Sequence, residues 1–167
     1  MRGRAHKLGD EINTDYIISG KYKFKTLDMK ELSKHIFEDL APGFAERVKP
    51  GDVVVAGENF GHGSSREQAP LVLKEAGISC VLAKSFARIF YRNAINVGLP
   101  AVTCDTSLIQ DGDTIELELE RGRVRNLTTG AIIEFKPLPP IMARILEEGG
   151  LANYVRKHGD LPMEGGR

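Results

Sequence analysis

The run Gly57-Glu58-Asn59-Phe60-Gly61-His62-Gly63-Ser64-Ser65-Arg66 gathers the residues of this 167-residue chain best suited to chemistry. Its glycines permit backbone angles closed to other residues and let an anion come close to main-chain amides. The run follows a β-branched stretch, Val53-Val54-Val55-Ala56, and precedes an amphipathic one carrying Ala69, Val72, Leu73 and Ala76. It therefore occupies the strand-to-helix position at which open α/β sheets place ligands. Free amides and the positive dipole end at a helix start favour a carboxylate or phosphate. Arg66 adds a planar fork able to take a carboxylate in two hydrogen bonds. The chemistry implied is anion binding with a serine hydroxyl held beside the anion.

Nucleotide and hydrolase motifs do not fit this run. A P-loop needs a lysine after its second glycine, yet His62 stands five residues after Gly57 with no lysine following. A dinucleotide fingerprint needs glycine where Arg66 stands, and a Gly-x-Ser-x-Gly elbow fails at Ser65-Arg66. A structural role fits equally well at this level. Ser64-x-x-Glu67 and Ser65-x-x-Gln68 both match a capping box, in which a serine satisfies amides at a helix start. Pro70, lacking an amide hydrogen, sets a helix that settles after Ala69 and leaves 64–67 as an irregular turn.

The surrounding elements must hold that turn in place. Residues 29–40 place Leu32, Ile36, Phe37 and Leu40 at helical spacing, which predicts a helix over Met29–Leu40, and Phe44–Val48 reads as a further turn. Before them, 21–26 reads as a loop. Val53–Ala56, Ile78–Ala83 and Ala101–Cys104 read as buried strands, with a helix over Phe86–Val97 ending at Gly98. This strand–helix rhythm predicts a mostly parallel core sheet. Thr114–Glu120, Val124–Leu127 and Ala131–Phe135 then alternate around turns at Gly122 and Thr129-Gly130, predicting a small antiparallel meander. Helices over Ile141–Glu148 and Leu151–Lys157 follow, with 162–167 a frayed tail. The length suits a single domain over 1–167.

Composition excludes several classes. Lys plus Arg and Asp plus Glu are both 23, so no basic excess suggests nucleic acid or an anionic membrane as partner. No apolar run approaches the ~18 residues of a membrane span, and the charged start is unlike a secretory signal. Cys80 and Cys104 are isolated in apolar stretches and read as buried, reduced thiols of a cytoplasmic protein. Two cysteines are too few for an iron–sulfur cluster. His6, His35 and His158 show no metal-ligand spacing and read as surface residues, and His62 as loop filler.

Three segments, 59–69, 85–96 (Ser-Phe-Ala-Arg-Ile-Phe-Tyr-Arg-Asn-Ala-Ile-Asn) and 9–15 (Gly-Asp-Glu-Ile-Asn-Thr-Asp), resemble the signatures of the aconitase swivelling domain, in family order and across nearly the whole chain. A separate chain of this size is similar to the small subunits of 3-isopropylmalate dehydratase and homoaconitase. The resemblance implies an α/β fold, the swivelling β/β/α domain, and a hydro-lyase active only with a large catalytic subunit. That partner would carry the [4Fe–4S] cluster, and this chain would bind no cofactor or metal.

The resemblance assigns the base to Ser64, substrate-carboxylate binding to Ser65 and Arg66, and an orienting role beside them to Asp15. It makes the 21–26 loop the reader of the substrate's variable group, through Lys23, Phe24 and Lys25. Phe24 suits an isopropyl group, and either lysine suits a distal carboxylate. The implied substrate is a small hydroxy-dicarboxylate, first of all 2-isopropylmalate in leucine biosynthesis, with homoaconitate or 2,3-dimethylmalate as alternatives. A non-catalytic anion-binding module stands as the reading from another class. Arg88 and Arg92, four apart on one helix, face the site, the partner subunit or solvent.

Overall fold

The β-branched run becomes a strand, and its alternation decides which face each valine covers. In the computed structural model, which describes residues 1–23, 28–63 and 68–159, the strands are β1 (Arg2–Lys7), β2 (Val53–Val55), β3 (Cys80–Ala83), β4 (Ala101–Thr103), β5 (Thr114–Glu118), β6 (Arg123–Asn126) and β7 (Ile132–Glu134). They form one sheet in the order β4-β3-β2-β1-β5-β6-β7. Its first half is parallel, with Ala5 opposite Val53, Val53 opposite Cys80 and Val81 opposite Ala101. Its second half is antiparallel, from the β1–β5 pairing of Gly3 with Ile115 outward. The expected parallel core and antiparallel meander are both present. β1 joins them.

Two apolar layers sandwich the sheet. Val53, Val55, Cys80, Leu82, Val102, Ile115, Leu117, Val124 and Ile133 pack together on one face, so the curled sheet encloses a core of its own. The opposite face, through Val54, Val81, Ala83 and Ala101, packs beneath helices. These helices are α1 (Thr14–Ile17), α2 (Gly20–Lys23), α3 (Met29–Ser33), α4 (Phe44–Arg47), α5 (Gln68–Glu75) and α6 (Arg88–Asn96). α7 (Pro140–Glu147) and α8 (Leu151–His158) close over α6 through Ile95, Ile145 and Tyr154.

Several expectations need correction. The helix expected over Met29–Leu40 ends at Ser33, and the chain continues in turns. Phe37 adopts a left-handed φ of 53° and gives its amide to Ile17 O at 3.0 Å, which ends any helical ladder there. Leu32, Ile36 and Phe37 are buried all the same, while Leu40 is exposed. The expected loop over 21–26 begins as the helical turn α2. Residues 24–27 lie outside the described residues, as do 64–67 and the tail from 160 onward. α5 includes Gln68 and Ala69, so Pro70 sits in its first turn, where an amide hydrogen has no partner within the helix. His6, expected at the surface, is 6% exposed, because β1 is a central strand and Asp52 meets its ring.

Candidate functional site

The end of β2 does not fray into an independent loop. One flank of 55–63 is hydrogen-bonded to the segment that leaves β1. Leu8 N donates to Val55 O, Gly57 N to Gly9 O, Glu11 N to Glu58 O, Gly61 N to Ile12 O and Thr14 N to His62 O, at 2.7–3.1 Å. The other flank is bonded to the segment that leaves β3: Lys84 N to Gly57 O, Phe60 N to Ser85 O and Ala87 N to Phe60 O, at 2.9–3.0 Å. The three signature segments thus become three adjacent turns at the carboxyl ends of parallel strands, the ligand-binding edge of such sheets.

Side chains add to this framework. Ser85 Oγ accepts the Asn59 amide hydrogen at 2.7 Å and donates to Glu58 Oε2 at 2.6 Å. Asn59 Nδ2 donates to Glu11 Oε2 at 2.9 Å, and Asp10 Oδ1 accepts from Glu58 N at 2.7 Å. Glu11 and Asn59 both hold a φ of 57°, a left-handed conformation that costs a non-glycine residue of order 1–2 kcal/mol each. Their mutual hydrogen bond helps offset that cost. His62 Nε2 donates to Glu11 O at 3.0 Å, so this histidine ties two turns together rather than filling a loop.

Close packing explains two of the glycines. Gly61, with φ +85°, lies against Phe90 of α6, where an added Cβ would come within 2.5 Å of Phe90 Cβ. At Gly63 an added Cβ would lie 2.6 Å from Asn13 Oδ1. Phe60, Phe86 and Phe90 form a ring cluster beneath, with Phe60 fully buried and its ring 5.1 Å from Phe90's. Seating the turn on this cluster fixes the backbone up to Gly63, immediately before Ser64.

Of the residues singled out by sequence, Asp15 is exposed in the first turn of α1, and its amide donates to the capping Asn13 Oδ1 at 2.8 Å. Asn13 itself pairs with His62, which brings the start of α1 beside the turn. Lys23 ends α2. Phe24, Lys25, Ser64, Ser65 and Arg66 lie outside the described residues. Arg88 and Arg92 are exposed on α6, and neither forms an ion pair among the described residues. Sequence reasoning assigned no role to Glu11, Asn13, Glu58, Asn59 or Ser85. Asn13 and Asn59 carried a signal, since asparagine favours caps and left-handed turns. Nothing local pointed to the Ser85–Glu58 pair, which joins residues 27 apart in sequence.

Cys80 and Cys104 are buried in the sheet's inner core, and burial pushes both thiols up to about 12. Among the described residues no group of three or more His, Cys, Asp or Glu could hold a metal ion. Both thiols are enclosed by the apolar side chains of that core, and two cysteines are fewer than a cluster takes. These residues do not fit an iron–sulfur cluster.

A glycine-rich turn seated between two others at a parallel sheet's carboxyl edge defines an α/β domain that gathers these turns where such sheets place their ligands. Residues 12–106 match the aconitase C-terminal domain. The chain belongs to that family. It is 57% identical over 163 residues to 3-isopropylmalate dehydratase small subunit 2 of Archaeoglobus fulgidus, covering 98% of this chain and 99% of that one. The methanogen homoaconitase small subunit of Methanothermobacter thermautotrophicus is 48% identical, with 99% and 96% covered. The crystal structure of 3-isopropylmalate dehydratase from Methanocaldococcus jannaschii superposes with a TM-score of 0.91 at 47% identity, covering 95% of this chain and 94% of that one.

Proposed function

We propose that this chain is the small subunit of a two-chain hydro-lyase that interconverts 2-isopropylmalate and 3-isopropylmalate by removing and returning water. The observation that carries the reading is the backbone pairing that locks the 55–63 segment between the 8–14 and 84–87 segments. It gives the family's three signatures one shared edge, and relatives bearing the dehydratase name align along almost the full chain.

Ser64 follows directly on Gly63 and acts as the base. Its Oγ takes the proton from the carbon beside a carboxylate, the C=C bond forms, and the hydroxyl on the neighbouring carbon leaves. Return of water with the opposite regiochemistry gives the isomer. A serine hydroxyl ionises far above neutral pH unless amides and cations surround it, and the glycine-rich turn with Arg66 is suited to that task. Ser65 and Arg66 hold the substrate carboxylate, the fork of Arg66 fixing its plane. Asp15, at the start of α1, orients this group. The [4Fe–4S] cluster belongs to the large subunit and supplies a Lewis acid for the departing hydroxyl. Arg88 and Arg92, exposed and without ion pairs among the described residues, are available to that subunit or to the substrate.

Substrate choice rests on Lys23, Phe24 and Lys25. Phe24 favours the isopropyl group. A second reading, homoaconitate, is favoured by the homoaconitase name of a relative 48% identical and by the two lysines. Reconstitution with the cognate large chain tests both. Isopropylmaleate should be hydrated faster than homoaconitate. Ser64→Ala should co-purify with the large chain yet lose roughly 10²–10⁴-fold in turnover, the range of a lost general base. Near-normal turnover in that variant refutes the assignment.

A further inference from the structure

A cleft of about 390 Å³ opens on the helical face of the sheet, between β1, α4, the 49–52 turn and the loop at Asp111. Of the residues lining it, only Leu8 belongs to the segments that frame the candidate site. Arg4, Lys7, Arg47 and Lys49 line it, against two carboxylates, Glu46 and Asp111. None of these four cationic side chains forms an ion pair among the described residues, although Arg47 Nη1 donates to Pro42 O at 3.2 Å and its guanidinium lies 5.8 Å from the Phe44 ring. The Asp111 carboxylate accepts the Lys7 amide hydrogen at 2.9 Å, which leaves the Lys7 ammonium group unmatched by that contact.

His6 also lines the cleft. Its ring is held against Phe44 at 5.1 Å, and its Nε2 donates to Asp52 Oδ2 at 2.7 Å. The Asp52 carboxylate also accepts the Arg4 and Lys49 amide hydrogens at 3.2 and 3.0 Å, so its charge is turned toward its own donors. Among the described residues Nδ1 of His6 has no hydrogen-bond partner. No buried side-chain nitrogen or oxygen among the described residues lacks a partner, so Nδ1 is not sealed off, and the ring lines the cleft. The hydro-lyase reading uses neither this histidine nor the four cations.

We propose that this cleft is a second anion site, one that takes a small dianion, either a phosphate group or a dicarboxylate. Arg4 and Arg47 supply planar forks, Lys7 and Lys49 supply point charges, and the His6 ring forms part of the wall, close enough to report on an anion bound there. The volume lies within the small-ligand range of about 300–1,000 Å³.

The test is a titration of the full-length chain, with imidazole nitrogen resonances as the readout. Inorganic phosphate and succinate are added in separate arms, and sodium chloride holds ionic strength constant. A saturable shift of the His6 resonances is expected in at least one arm, and the arm that saturates identifies the ligand chemistry. The Arg47→Ala/Lys49→Ala double variant alters two exposed positions and should keep its circular dichroism spectrum. It should bind roughly tenfold or more weakly, as expected when two charge-assisted contacts are removed. Ser64→Ala and Arg66→Ala should bind as the parent does, which separates this site from the catalytic one. A His6 shift no larger than that caused by chloride in both arms, or one abolished by Arg66→Ala, overturns the proposal.

Discussion

Replacing Gly61 by alanine tests whether the turn's seat on α6 is what positions the residues after it. The new methyl carbon would lie 2.5 Å from Phe90 Cβ and 2.7 Å from Cδ2, well inside van der Waals contact. Rotating the Phe90 ring cannot relieve the Cβ contact, because that atom is fixed by the helix backbone. Either the turn or α6 must shift, which at an overpacked core site costs about 1–3 kcal/mol. The left-handed φ of +85° adds about 1–2 kcal/mol for any L side chain. Gly130 supplies an internal control, since its φ is +84° but an added Cβ there meets nothing within 4 Å. Gly130→Ala should therefore cost only the conformational part. The difference between the two variants, about 1–3 kcal/mol by urea unfolding, isolates the steric contact with Phe90. A domain of ordinary stability survives either change. Turnover with the large subunit should fall much further in Gly61→Ala than in Gly130→Ala, because a shift of about 1 Å misplaces a catalytic hydroxyl. Equal stability losses in the two variants, or unchanged turnover in Gly61→Ala, would sink the idea that this packing sets the turn.

Two further outcomes concern groups remote from the turn. Asp52→Ala should destabilise the chain by about 3–5 kcal/mol in denaturant titration, since it strands a buried imidazole and two main-chain amides. Burial acts to raise the Asp52 carboxyl, but hydrogen bonds from His6, Lys49 and Arg4 outweigh it, and the group stays below its ordinary 3.8. Its stabilisation is thus complete above pH ~4, where the unfolded carboxyl is ionised, and is lost as pH falls through the lower folded value. The parent should show this acid-side decline, and Asp52→Ala should show less of it. For Cys80 and Cys104, burial and thiol values near 12 predict that native protein reacts with a thiol reagent only as fast as it opens. Rapid labelling at neutral pH without denaturant would contradict that burial.

Much of the fold was legible because it rests on short-range rules. Val53–Ala56 and Ile78–Ala83 are largely apolar runs suited to a doubly covered strand, and Gly122 and Thr129-Gly130 mark turns that local backbone geometry demands. The helices after Pro139 and Gly150 followed from the same reasoning. Segments 9–15, 59–69 and 85–96 were recognisable one by one, and the 57–66 run stood out through its place between strand and helix, while the choice of Ser64 within it came from the family resemblance.

What only the tertiary structure decided is how these pieces meet. Arg2–Lys7 has the composition of an exposed segment, yet it forms the strand that joins the two halves of the sheet, since its backbone pairs on both sides while its long side chains reach the rim. His6 is buried because Asp52, 46 residues away, accepts a hydrogen bond from its ring Nε2–H. Met29–Leu40 has a helical pattern, but Phe37 spends its amide on Ile17 O and takes a left-handed turn instead. Likewise the three signatures become one edge only through main-chain bonds such as Thr14 to His62 and Phe60 to Ser85. Propensity and periodicity act over a few residues and are therefore written in the sequence. Pairing between distant backbone groups depends on which partners the folded chain brings within hydrogen-bond reach, and that is settled only when the sheet closes.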